Sequence, residues 1–224
     1  MGARRSPSIG GLSVRAMTPS DLRFSAALHQ RSLPHGFFVE LGEGYLRLYH
    51  RSFVVSPYAP ALVAEAGGRP IGFLVGVLDA ARHRHFAVRR MGLVLAARAT
   101  AAMLVRPRVA AWFVRHRLCL YARRLVAALT GGGVVKPAKA PSGRAAVVMH
   151  VATDEEARGL GAGKALLEAF TAAAEQAGAT RLELVTRTGE DGAGAFYERL
   201  GWTPTGVRRD RGETEFELYV LELR

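Results

Sequence analysis

The chain has 224 residues, of which 49% are hydrophobic, enough to bury one or two compact cores. Its single cysteine, Cys119, excludes an intramolecular disulfide, and no apolar signal segment follows the basic N-terminus, so we expect a cytoplasmic protein. The net charge of +12 is concentrated in one region: residues 80–144 hold 14 Lys and Arg and no Asp or Glu, whereas the remainder has 17 basic and 19 acidic residues.

The first predicted elements follow a tail at residues 1–11. A short apolar run at 14–17 predicts a strand. Thr18 then resembles a helix N-cap, because proline follows it and Asp21 stands three residues after it. We expect that helix to run to about His29.

A second helix and a β-hairpin are predicted next. Residues 36–52 carry leucines and aromatic residues at helical spacing. The apolar runs at 61–66 and 71–78 flank a Gly-Gly pair, which is typical of a hairpin.

The basic region at residues 80–144 is too long for a structureless loop and predicts two helices, at about 82–105 and 108–129. On the second helix, Trp112 and Phe113 fall outside the main apolar stripe and stand among arginines. Such a surface suits an anionic membrane, although no uncharged run is long enough to span one. Packing as a dimer or substrate lid, an anionic soluble partner and a solvated face are the alternatives. No nucleic acid is expected, because no reader motif is present.

The most informative segment is a strand, a glycine loop and a helix in that order. An apolar run at 145–151 predicts the strand, three glycines lie between Arg158 and Lys164, and the helix ends at Gly178. Glycines allow close approach of the backbone, and a helix N-terminus presents free N–H groups to phosphate. A Walker A loop requires Ser or Thr where this chain has Ala165, and a dinucleotide-binding loop spaces its glycines differently.

The pattern Arg-Gly-x-Gly-x-Gly after a strand resembles the acyl-CoA pyrophosphate loop of the GNAT superfamily of N-acyltransferases. The segment from Ala193 to Trp202, Ala-Gly-Ala-Phe-Tyr-Glu-Arg-Leu-Gly-Trp, resembles the family's helix near the C-terminus. The resemblance is specific over about 145–205 and looser over 12–79. It implies an α/β GNAT fold at residues 12–224, with a mixed central β-sheet flanked by helices. The basic helical insertion would lie between the third and fourth strands.

The resemblance also implies a site for acetyl-CoA as cosubstrate. Its pantetheine is expected to pair with the strand backbone at Val151 and Thr153, where the amide of Val151 would polarise the thioester carbonyl. The family often has asparagine where this chain has Glu190, so no contact is expected from that position. The pyrophosphate is expected on the backbone of six loop residues: Arg158, Gly159, Gly161, Ala162, Gly163 and Lys164.

Proton transfer requires an acid and a base. The resemblance places Tyr197 near the sulfur of CoA, as general acid. The alternative is that Tyr197 only packs in the core beside Phe196. For the base, His150 on the strand has a suitable intrinsic pKa. Glu40 and Glu43, in the helical segment on the acceptor side, are the other candidates, acting through water. No metal site is expected.

Together these inferences predict an N-acetyltransferase that moves the acetyl group directly from acetyl-CoA to a primary amine. The charge of the insertion favours an amine-bearing small molecule, such as a nucleotide- or lipid-linked amino sugar. The alternatives are a protein or peptide N-acetyltransferase and a non-catalytic GNAT-fold protein that binds a membrane or a partner. Contact with the inner membrane face through residues 80–144 and a homodimer are further expectations.

Overall fold

The computed structural model describes residues 11–34, 36–115, 144–189, 193–209 and 215–223. Within them, strands form a single mixed sheet in the order β1-β2-β3-β4-β5-β7-β6. All neighbouring strands are antiparallel except β4 and β5, which are parallel. The strands are β1 (Leu12–Ala16), β2 (Ala61–Ala66), β3 (Arg69–Val77), β4 (Ala145–Thr153), β5 (Arg181–Arg187), β6 (Thr203–Arg209) and β7 (Glu215–Glu222).

Helices flank the sheet on both faces, which confirms the predicted α/β class. The described α-helices are α1 (Leu22–Ser32), α2 (Phe37–Glu40), α3 (Glu43–Val54), α4 (Ala80–Leu104), α5 (Pro107–Phe113), α6 (Ala162–Gln176) and α7 (Gly194–Arg199). The N–H of Thr18 donates to the Asp21 carboxylate at 2.7 Å, so the predicted cap is present. It opens a single 3-10 turn that leads into α1.

A hydrophobic core lies on each face of the sheet. On one face α6 packs through Leu166 and Phe170, both fully buried, against side chains of β2 to β5. Phe170 covers Gly76 of β3 so closely that a Cβ at position 76 would lie 2.6 Å from the Phe170 Cζ. On the other face α1 and α3 enclose Phe53 and Phe73. The two cores therefore hold β4 between α6 on one side and α1 with α3 on the other.

The predicted single helix at 36–52 is wrong: the chain forms α2 and α3, separated at Leu41 and Gly42. Gly42 has a φ of +85°, a left-handed conformation that ends a helix and favours glycine. The Leu41 carbonyl, freed by the break, accepts a hydrogen bond of 3.0 Å from the Arg106 guanidinium. The break is thus stabilised by a residue 65 positions away.

Between β3 and β4 the described residues form α4 and α5. α4 lies where the first helix of the basic region is predicted, and α5 covers only the start of the second, because residues 116–143 lie outside the described ranges. α4 and α5 pack on α2 and α3 through a small core that includes Leu41, Tyr45, Ala102 and Val109. None of the described helices combines the length and hydropathy needed to cross a membrane.

Candidate active site

The glycine loop connects β4 to α6 and is open to solvent. Gly159 and Gly161 have φ values of +84° and +79°, and no atom lies within 4 Å of the position of a Cβ at either residue. α6 begins at Ala162, and its first helical hydrogen bond is from the Ala165 N–H to the Gly161 carbonyl, 2.9 Å. The three preceding amides therefore have no intrahelical acceptor, and the helix dipole adds positive potential. This geometry suits the predicted phosphate-binding role.

Two cations flank the loop. Arg158 contacts Glu155 at 3.1 Å and Lys164 contacts Glu168 at 3.8 Å, and all four side chains are largely exposed. Exposed ion pairs of this kind contribute little to stability, so either cation can turn to a bound phosphate at small cost.

Gly163 joins the loop to two other elements of the predicted site. A Cβ at this position would lie 3.3 Å from the Phe196 Cζ and 3.8 Å from the Thr153 Cγ2. The start of α6, the end of β4 and helix α7 therefore meet at this glycine. Phe196 thus lies against the start of α6, and Tyr197 is the next residue of the same helix, α7.

β4 and β5 separate along the edge where the cosubstrate is expected. Among the described residues they pair only from Ala145–Arg181 to Val147–Glu183. Beyond Val147, β4 stays paired with β3 while β5 stays paired with β7. The half of β4 that contains Val151 and Thr153 thus presents its β5-facing edge to a widening gap. That gap can accept an extended ligand as an added strand.

A β-bulge at Met149 decides which face His150 occupies. Val75 pairs with His150 and Gly76 pairs with Val148, which leaves Met149 without a ladder partner. The extra residue reverses the alternation of β4. His150 therefore lies on the face covered by α1 and α3.

Tyr197 is a neutral phenol in an apolar environment. It is 6% exposed, and its ring contacts those of Phe196, Trp202 and Tyr219. Burial raises its pKa to about 12, so the hydroxyl keeps its proton at neutral pH. Every fully buried side-chain polar atom of the described residues has a hydrogen-bond partner, but the Tyr197 Oη has none among them. The hydroxyl is therefore not completely enclosed by the protein.

On the opposite face, His29, His50 and His150 form what we call the imidazole cluster. The His29 Nδ1 lies 2.9 Å from the His50 Nε2, and the His29 and His150 ring centroids are 4.4 Å apart. Two hydroxyl groups hydrogen-bond to the cluster: His50 Nδ1 is 2.9 Å from the Ser25 Oγ, and His150 Nε2 is 3.1 Å from the Tyr49 Oη.

Burial keeps this cluster uncharged. It lowers the pKa of His29 to about 4, that of His150 to about 3 and that of His50 to about 2, with mutual repulsion adding to the last two. At neutral pH all three rings are uncharged. In the described residues no group of three or more His, Cys, Asp or Glu side chains is arranged to hold a metal ion.

The other candidate bases lie on α2 and α3. Glu40 is exposed at the end of α2. Glu43, partly buried, begins α3. Sequence reasoning missed His29 and His50, although each occupies a core-facing position of an amphipathic helix. A polar residue within an apolar stripe is the signal that could have found them.

Aromatic side chains extend from the imidazole cluster to α5. We call these the aromatic wall: Phe37, Phe38, Tyr49, Trp112 and Phe113. Tyr49 contacts His150 and Phe38, with ring centroids 5.7 and 4.7 Å apart. Phe38 contacts Phe37, which stacks on Trp112 at 5.6 Å. The basic region thus supplies part of the surface that leads to His150.

The sequence model of the acetyltransferase (GNAT) family matches residues 28–202. The chain therefore belongs to this family, as the glycine loop and α7 predicted. The predicted class of enzyme, an acyltransferase that uses acetyl-CoA, is the one that the family defines. No curated protein sequence matches the chain at a significant level.

Solved structures with the same fold are distant in sequence. Ard1 from Thermoplasma volcanium is 18% identical, with a TM-score of 0.56 over 96% of this chain and 99% of that one. The ribosomal-protein-S18-alanine N-acetyltransferase from Escherichia coli is 16% identical, with a TM-score of 0.54 over 94% and 93%. YncA from Salmonella typhimurium, solved with acetyl-CoA, is 12% identical, with a TM-score of 0.56 over 96% and 95%. At these identities the likeness establishes the fold alone.

Proposed function

We propose that the protein transfers the acetyl group of acetyl-CoA to the primary amine of a small anionic acceptor, such as a nucleotide- or lipid-linked amino sugar. The observation that carries this proposal is the open glycine loop beside the gap between β4 and β5. The gap is bounded by a neutral phenol on one face and neutral imidazoles on the other.

The glycine loop and β4 hold the cosubstrate in this proposal. Backbone amides from Arg158 to Lys164 bind the pyrophosphate, and the two cations of that segment screen its charge. The pantetheine pairs with β4 at Val151 and Thr153. A backbone amide at Val151 then faces the thioester oxygen, on which negative charge develops as the amine attacks.

The residues on the two faces move protons. The acceptor arrives as an ammonium and loses one proton to a neutral imidazole of the cluster, of which His150 is the member on β4. A C–N bond forms as the C–S bond breaks. Tyr197, whose raised pKa keeps its hydroxyl protonated at neutral pH, hydrogen-bonds the departing sulfur and gives it the proton as the C–S bond breaks. It recovers a proton from the nitrogen that has been acylated.

The surroundings of His150 favour a particular acceptor. The aromatic wall offers flat apolar surfaces next to the cluster, on which a base or sugar ring can stack. Residues 80–115, which complete that wall, contain eight arginines and no acidic residue. An acceptor with a ring and a negative charge satisfies both features, and a nucleotide-linked amino sugar has both.

We further propose that α4 contacts an anionic membrane. Leu93 and Leu104 of this helix are 90% and 80% exposed, and Val105, which follows it, is 76% exposed. Arg89 and Arg90, also exposed, have no acidic partner among the described residues. Exposed apolar side chains beside unpaired arginines are typical of a helix that lies at a lipid headgroup layer. A lipid-linked acceptor would then be presented to the site from the same surface.

Release of the CoA thiol tests the function. Acetyl-CoA is incubated with a panel of neutral amines, anionic amino sugars and peptides that have free N-termini, with Tyr197→Phe as the matched variant. We expect turnover of anionic amino sugars, and at least a ~100-fold loss of kcat in the variant with unchanged affinity for acetyl-CoA. Preference for peptides would instead indicate a protein N-acetyltransferase. Binding of vesicles without transfer to any amine would indicate the non-catalytic alternative.

A further inference from the structure

Within the imidazole cluster, the hydrogen bonds determine which nitrogen carries the proton on each ring. Ser25 is fully buried, and its hydroxyl donates to the Leu22 carbonyl one turn earlier in α1, at 3.4 Å. A hydroxyl that donates there has its lone pairs left for His50. In this arrangement the His50 Nδ1–H donates to the Ser25 Oγ, 2.9 Å away.

The same logic continues to His29. With its proton on Nδ1, the neutral His50 ring has only a lone pair on Nε2. That lone pair accepts the His29 Nδ1–H at 2.9 Å. Neutral His29 must then have an unprotonated Nε2. The chain Ser25–His50–His29 thus orients a basic nitrogen, as a carboxylate orients histidine in a catalytic triad, but without a charge.

The second ring nitrogen of His29, Nε2, has no hydrogen-bond partner in the described chain, although the residue is only 2% exposed. All fully buried side-chain polar atoms of the described residues are paired, so Nε2 is not completely enclosed. The ring lies against His150, on the half of β4 that borders the gap.

The ring of His150 has a different hydrogen-bond partner. Its Nε2 lies 3.1 Å from the Tyr49 hydroxyl, whose raised pKa keeps it protonated and able to donate. A neutral imidazole that accepts from Tyr49 at Nε2 carries its own proton on Nδ1, so it presents a donor rather than a base.

We propose that His29, through its Nε2, is the residue that accepts the proton of the acceptor ammonium, and that Ser25 and His50 are positioning residues that fix its tautomer. This inference rests on the proposed acetyl transfer and names the base for it. His150 then orients the acceptor by hydrogen bonding and contact. The surroundings of His29 are uncharged: its described ring contacts are His50, His150 and Phe73, and Tyr49 faces His150.

The proton balance closes with these groups. His29 takes one proton from the ammonium and releases it to water, and the neutral amine attacks. Tyr197 gives a proton to the sulfur and regains one from the new amide nitrogen through water. Of the two protons that the ammonium nitrogen loses, one ends on the thiol and one in solvent. The apolar setting also lowers the pKa of an ammonium bound beside His29, so a larger fraction of the acceptor is the neutral amine that attacks.

Substitution by asparagine separates the two nitrogens of His29. In His29→Asn the amide nitrogen replaces Nδ1 as donor to His50, whereas nothing replaces Nε2. We expect kcat to fall ~100-fold or more, the Kd for acetyl-CoA to stay within about twofold, and added imidazole to restore part of the rate. His150→Asn is the matched variant, expected to raise KM for the acceptor without rescue by imidazole.

The positioning role of His50 has its own test. His50→Gln keeps an acceptor for the His29 Nδ1–H, whereas His50→Leu removes it. We expect the glutamine variant to keep most of the activity and the leucine variant to lose it about tenfold in kcat, with a shifted pH profile. Equal losses in both variants would overturn the role of His50.

Nitrogen-15 NMR of the histidine side chains tests the tautomer without any turnover, and so separates this inference from the proposed function. A protonated Nε2 on His29 at neutral pH would overturn the inference, as would wild-type kcat in His29→Asn. If His150→Asn showed the imidazole rescue instead, His150 would be the base. Absence of transfer by the wild-type protein, with the expected tautomer present, would refute the proposed function and leave the oriented imidazole established.

Discussion

Lowering the pH from about 7.5 to about 5.5 should destabilise the free protein by about 4 kcal/mol, through the imidazole cluster. His29, His50 and His150 have native pKa values of about 4, 2 and 3, all well below the 6.5 of an unperturbed histidine. Between pH 6.5 and 4 the unfolded chain binds protons at these positions while the native protein does not. The free energy of unfolding therefore falls as the pH falls.

The magnitude depends mainly on the unfolded state. One pH unit below 6.5, protonation stabilises the unfolded chain by about 1.4 kcal/mol per histidine, and three histidines give about 4 kcal/mol. Buried His83, whose pKa is also lowered, adds to the same trend. The Asp21 carboxylate beside Arg15 has its pKa lowered to about 2, so its contribution is lost only below the ordinary value of 3.8. A loss of about 4 kcal/mol is a large fraction of the stability of a typical domain.

Urea unfolding at the two pH values measures this effect, without acetyl-CoA, because a ligand would add its own stabilisation. His50→Gln should reduce the difference between the two pH values by about a third. His85→Gln, on the exposed side of α4, is the control and should leave it unchanged. Equal free energies of unfolding at both pH values, with unchanged denaturant slopes, would show that the cluster titrates normally in the native state and would refute the reasoning.

Three further predictions follow from packing, loop geometry and charge. Gly76→Ala should cost about 1–3 kcal/mol in thermal or urea unfolding, because its Cβ would overlap the Phe170 ring; an unchanged midpoint would contradict the packing. Gly161→Ala should destabilise the protein by about 1–2 kcal/mol through its φ of +79° and weaken acetyl-CoA binding in calorimetry, whereas retained affinity would argue against the loop. Replacing Arg89 and Arg90 by glutamine should weaken binding to anionic vesicles by about 1 kcal/mol each in co-sedimentation, and equal binding to neutral vesicles would refute the membrane proposal.

Local sequence was sufficient to predict the glycine loop and its flanking elements. Gly159 and Gly161 adopt the conformations for which glycine is selected, and both the strand before them and the helix after them show their own periodicity. The first half was also predicted well except at Gly42. That helix break is stabilised by Arg106, which lies outside residues 36–52, so the pattern of residues within that segment does not predict it.

The proposed acceptor side could not be predicted from the sequence, because it is assembled from residues that are far apart along the chain. The hydrogen bond between Tyr49 and His150 joins residues 101 positions apart, and that between His29 and His50 joins two helices. Even the face on which His150 lies depends on the unpaired Met149, and nothing in the apolar run of β4 marks where a bulge falls. Hydrophobic periodicity predicts helices and strands, but the contacts between residues far apart in the sequence form only in the folded protein.

The hydrogen bond between Arg106 and the Leu41 carbonyl links the basic helices to the surface on which we propose that the acceptor binds. α2 holds Phe37 and Phe38, and Leu41, the residue that follows α2, accepts this bond from the segment that joins α4 and α5. If an anionic surface bound α4 and shifted this tie, acceptor affinity would change, and by reciprocity the acceptor would change affinity for the surface by the same factor. Acceptor binding measured with and without anionic vesicles gives that factor, and a value of one would mean that surface and site act independently.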